Sequence, residues 1–63
     1  MSALAIALVW ERMVELAEAA HDEAVSGQRA AEFASAQRVA ETASALYTLA
    51  QTAVLLSRED GDA

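Results

Sequence analysis

The chain has no cysteine and no proline, and each absence removes a class of structure. Without cysteine there is no disulfide framework and no thiolate zinc site. Without proline nothing forces a helix to stop, and only Gly27 and Gly61 offer a break through backbone freedom. Lysine is missing too. Four arginines stand against ten acidic residues, for a formal net charge of −6, the wrong sign for tracking a phosphate backbone or an anionic membrane surface. Nucleic acid is therefore not expected as a ligand. The aromatics are Trp10, Phe33 and Tyr47 alone, and His21 is the one histidine. With no Gly-rich segment, no thiol and no hydroxyl placed beside His21, neither a phosphate loop nor a nucleophilic triad is in view. An enzyme is not expected, and no cofactor is implied by composition.

What is present is helical. Ala, Leu, Glu, Gln and Arg fill the chain, 56% of residues are hydrophobic, and no run of β-branched residues is bounded by turns, so the fold class is all-α. At 63 residues there is room for one domain. A domain so small buries too little surface to offset chain entropy comfortably, and with disulfides excluded, association is the remaining supplement. The opening Met1–Trp10 stretch lacks a basic segment and reaches Glu11 and Arg12 too early for a secretory core or a membrane span. The expectation is a soluble, cytoplasmic protein with no transmembrane segment.

Ser2 suits an N-cap and Gly27 a left-handed C-cap, predicting a first helix over about 3–25 and a turn at Ser26-Gly27. A second helix follows over about 28–57, with the acidic tail 58–63 frayed. The whole chain 1–63 is then a two-helix antiparallel hairpin. On the first helix Ile6, Val9, Trp10, Met13, Val14 and Leu16 begin an apolar face covering about half the circumference at 100° per residue. The second helix carries two seams at alternating three- and four-residue spacing. One is Phe33, Ala36, Ala40, Ala43, Tyr47, Ala50 and Val54; the other is Val39, Thr42, Leu46, Leu49, Ala53 and Leu56. Two seams ask for two neighbours, and a hairpin supplies only one.

Folding about Ser26-Gly27 sets Trp10 beside Ala43, Met13 beside Ala40, Ala20 beside Phe33 and Ala3 beside Ala50. Large meets small at each level, as interdigitating helices require. Trp10 and Tyr47 fall on this internal seam and are read as core, with a partner contact as the alternative. At the end away from the turn Leu4, Leu8 and Leu55 point off the seam. The expected protein interface is therefore Leu4, Leu8, Leu49, Val54, Leu55 and Leu56. The expected partner is a second copy, giving a four-helix bundle, or a larger protein docked on the apolar end.

One motif could bear chemistry. Glu18-Ala-Ala-His21 has the Glu-x-x-His spacing of helical carboxylate metal sites, and folding at Ser26-Gly27 puts Glu32 opposite His21. Glu18, His21 and Glu32 are thus candidate ligands for a divalent metal. The favoured reading is a His21–Glu32 hydrogen bond or ion pair, because Glu18 projects about 60° away from His21 around the helix.

In outline the hairpin resembles those that dimerise into four-helix bundles, such as the Rop-type copy-number regulators. It departs from them in its acidic surface, and from the WXG100 hairpins in having no Trp before Gly27. The expected function is a non-enzymatic interaction or oligomerisation module, with a hetero-complex subunit and a carboxylate-histidine metal bundle as rivals.

Overall fold

The computed structural model describes residues 3–31 and 33–62, with side chains through Arg58. Two helices, α1 (Ala3–Ala30) and α2 (Phe33–Asp62), pack against each other as a hairpin. At 1.5 Å per residue they run about 42 and 45 Å, which accounts for a molecule 49 Å long but only 16 and 10 Å across. Its radius of gyration of 14.7 Å exceeds the roughly 11 Å of a compact domain of this length. The hairpin is a rod, and among the described residues no third element wraps it.

A single seam joins the helices. From α1 it takes Ile6, Val9, Met13, Leu16, Ala20, Glu23 and Gly27; from α2 it takes Ser35, Val39, Thr42, Leu46, Leu49, Ala53 and Leu56. Both sets alternate steps of three and four, the spacing that keeps one stripe of a helix against its neighbour. Only Met13, 7% exposed, and Ser35, 2% exposed, are fully buried; the others are half-covered. The seam changes character along its length. Ile6, Leu49 and Leu56 make the open end aliphatic, whereas toward the turn Thr42 Oγ1 donates to Glu23 Oε1 at 2.8 Å. Arg38 Nη2 donates to the buried Ser35 Oγ at 3.0 Å, so that hydroxyl is satisfied where the helices come together.

The connection lies later than Ser26-Gly27. α1 continues through both residues to Ala30, and Ala31 takes the left-handed conformation with φ of 52°. Gly27 is helical and half-buried on the seam. Glycine inside a helix costs about 1 kcal/mol relative to alanine, but here its bare Cα faces Ser35 and Ala36, where a small residue suits close helix approach. Packing of the last turn of α1 therefore outweighs the local preference to stop. Arg29 in that turn complements the partial negative charge of the helix C-terminus. Likewise α2 runs past Ser57, with its backbone helical through Asp62.

The later connection shifts every cross-helix pair. Trp10 stands at Ala53 and Val54 instead of Ala43, and Met13 at Ala50 instead of Ala40. Ala20 lies between the levels of Thr42 and Ala50, away from Phe33, and Ala3 lies beyond Val54. Among the described residues no helix is long and apolar enough to cross a membrane.

Two substitutions test this turn by reversible urea unfolding followed at 222 nm. Ala31→Gly relieves a left-handed alanine and raises stability by about 1 kcal/mol. Gly27→Ala is neutral or stabilising by up to about 1 kcal/mol if Gly27 is helical, and destabilising by at least that much if it is a left-handed cap.

Candidate protein-interaction face

A helix pair has one internal seam, so any second apolar stripe on either helix stays in water. Both helices have one. On α1, Ala3, Ala7, Trp10, Val14, Ala17 and His21 step by four and three residues and all are exposed. At 100° per residue this stripe lies about 110° around the helix from the internal seam. On α2 the seam from Ala36 through Ala43 and Tyr47 to Val54 lies about 110° from its internal counterpart. The helices are antiparallel, so these rotations bring both stripes to the same side of the rod. Trp10, Ala50 and Val54 accordingly line one open cleft of about 450 Å³.

The aromatic residues mark this face. Trp10 is 60% exposed and Tyr47 65% exposed, which corrects their placement in the core. Tyr47 Oη accepts a hydrogen bond from Gln51 Nε2 at 3.1 Å along the outer surface. The physical reason is a choice between two seams of equal periodicity. The seam bearing Val39, Leu46, Leu49 and Leu56 buries more aliphatic surface per level than the alanine-rich one, and it turns inward.

The expected interface set divides accordingly. Leu4, Leu8, Val54 and Leu55 are exposed. Leu49 and Leu56 are half-buried on the internal seam and hold the hairpin together. Val54 belongs to the face with Trp10, while the same helical arithmetic turns Leu4, Leu8 and Leu55 to the opposite side. The charged residues Glu11, Arg12 and Glu15 separate Leu8 from further apolar surface along α1; Arg12 Nη1 and Glu15 Oε2 form an exposed ion pair at 3.1 Å, worth little to stability.

Glu18 and His21 share a surface patch with Val14, Ala17 and Asp22, and both are exposed. Glu32, the third candidate ligand, lies outside the described residues. With the turn at Ala31, His21 sits about 15 Å along the axis from the connection, and its level is that of Thr42 and Ala43. Among the described residues no three His, Asp or Glu side chains gather in a way that could hold a metal ion.

Sequence reasoning missed the polar half of the seam. Glu23, Gly27 and Ser35 are legible only if the three-four step is carried beyond Ala20 on α1 and back from Val39 on α2. The fully apolar pattern stops there, and nothing in composition asks a seam to continue through polar residues.

The surface area states the consequence. The chain exposes 4751 Å², against roughly 3,900 Å² for a compact monomer of its mass. The excess of about 900 Å² is the scale of one partner's share of a standard protein interface, about 800 Å². Comparison with protein-family models, with curated proteins and with solved structures finds no match to this chain.

Burial predicts opposite responses at neighbouring sites. In dilute solution Met13→Ala lowers hairpin stability by about 2 kcal/mol or more, while Trp10→Ala costs less than about 1 kcal/mol despite removing a larger side chain. Equilibrium urea curves of the two variants at the same low concentration provide the comparison.

Proposed function

We propose that this chain is a non-enzymatic association module whose hairpin completes its core by pairing with a second hairpin as a four-helix bundle. The observation that carries the reading is the uncovered stripe on each helix, apolar and at knobs-into-holes spacing. Large contiguous apolar patches on a soluble chain signify an interaction surface. Helices spaced for interdigitation are matched by other helices, and the simplest closed assembly of one chain is a twofold dimer. Such a module acts as a small adaptor, assembly factor or regulator: what it contributes is association, with no bond-making step.

Linkage makes the proposal measurable, because a hairpin that dimerisation stabilises melts at a temperature that rises with protein concentration. Taking about 0.7 kcal/mol of unfolding enthalpy per residue, a tenfold dilution lowers the helical melting midpoint by roughly 5 °C. Circular dichroism melts over a hundredfold range, with sedimentation equilibrium at each concentration, give the readout. A chain that is monomeric, fully helical and concentration-independent at tens of micromolar would overturn the homodimer. A chain that is poorly helical alone and gains structure only on co-expression with another protein would replace the homodimer with a hetero-complex.

A further inference from the structure

We infer that a second copy of this chain covers the face carrying Trp10 and Tyr47, with the two turns at the same end of the bundle. Each α1 then lies between its own α2 and the partner's α2. This rests on the homodimer reading above and adds the face and the orientation.

Three observations converge on this occupant. The first is area. A face 49 Å long and 16 Å wide presents on the order of 800 Å², the contribution each partner makes to a stable interface. An occupant that fills it must be as long as this hairpin, and the spacing of both stripes requires it to be helical.

The second is shape. Cross-helix levels are set by the Glu23–Thr42 hydrogen bond and by the cleft joining Trp10 to Ala53 and Val54. Carried across a twofold axis along the rod, the same levels put Val14 against the partner's Ala50, Ala17 against the partner's Tyr47 and His21 against the partner's Ala43. A small residue opposes a larger one at each of these levels, as dense packing requires.

The third is charge, and it decides the orientation. The outer edge of the α1 stripe carries Glu11 and Glu18, one heptad apart, and the outer edge of the α2 stripe carries Gln37, Ser44, Gln51 and Arg58; all are exposed. With the turns together, Glu11 runs beside the partner's Gln51 and Glu18 beside the partner's Ser44. With the turns at opposite ends, α1 lies on the partner's α1. Glu11 then meets the partner's Glu18, twice by symmetry. Edge charges of this kind select orientation in helical bundles, and like charges in contact disfavour it.

The test uses the full chain, sedimentation equilibrium, circular dichroism and the emission of its single tryptophan. In the wild type, Trp10 emission shifts to the blue as concentration drives dimerisation. Ala43→Glu, on the face but off the internal seam, raises the dimer Kd at least 100-fold and leaves a helical monomer. Leu8→Glu, on the opposite side, leaves Kd within about threefold. Should Ala43→Glu lose its helix, Ala17→Arg reads the same face from α1.

A wild-type dimer that survives both face variants and is split by Leu8→Glu overturns the face while leaving the dimer standing. A wild-type chain that remains a helical monomer at tens of micromolar overturns both. Orientation is read by cross-linking in this cysteine-free chain. Chains carrying Ala17→Cys and Tyr47→Cys oxidise to a mixed disulfide if the turns share an end. Preferential joining of Ala17→Cys to Val14→Cys would show the reversed bundle.

Discussion

Everything in this molecule hangs on one line of contact between α1 and α2, and that line is too thin to make a core. Two cylinders touch along a single stripe, so each seam residue is covered from one side only. Among the described residues Met13 is the one apolar side chain that escapes solvent, whereas Leu16, Leu46 and Leu49 remain half in water. Burial at about 25 cal/mol per Å² cannot be extracted from surfaces that stay wet, while the entropy of ordering two long helices is lost in full. The hairpin is consequently a half-built object, and its uncovered apolar side follows directly from its geometry.

The seam is also graded. Aliphatic residues dominate it from Ile6 to Leu16 and from Leu46 to Leu56, and polar ones take over toward the connection, where Thr42 donates to Glu23 and Arg38 to Ser35. A hydrogen bond between part-buried groups contributes about 1 kcal/mol net, but it is directional where apolar contact is not. The polar end therefore sets the register of the pair, and the aliphatic end supplies most of its cohesion. Gly27 and Ser35 belong to the same logic, since small residues let the helices converge beside a connection only two residues long.

The exposed face obeys the same spacing as the seam. Trp10, Val14 and Ala17 step around α1 as Val9, Met13 and Leu16 do, displaced by one position. A helix with two adjacent heptad stripes presents a second apolar edge beside the one that it buries. The alanines at 36, 40, 43 and 50 keep α2 narrow on that side. Together they make a shallow surface whose margin is acidic on α1, at Glu11 and Glu18, but not on α2.

The all-helical fold class, the hairpin and the presence of two seams on α2 were legible in the residues themselves, because helix propensity and three-four periodicity are local properties that need no partner. The place of the turn was not. Ser26-Gly27 has the local chemistry of a helix end, yet α1 passes through it to Ala30, with Gly27 half-buried and bordering one cleft with Ser35 and Ala36 of α2. From that displacement of a few residues came the removal of His21 from the level of the connection and the exchange of Ala43 for Ala53 and Val54 beside Trp10. Periodicity by itself determined that α2 has two faces to bury. Only tertiary packing decided which of them turns inward, because that choice compares the surface each face buries against α1, and a single helix carries no record of the comparison.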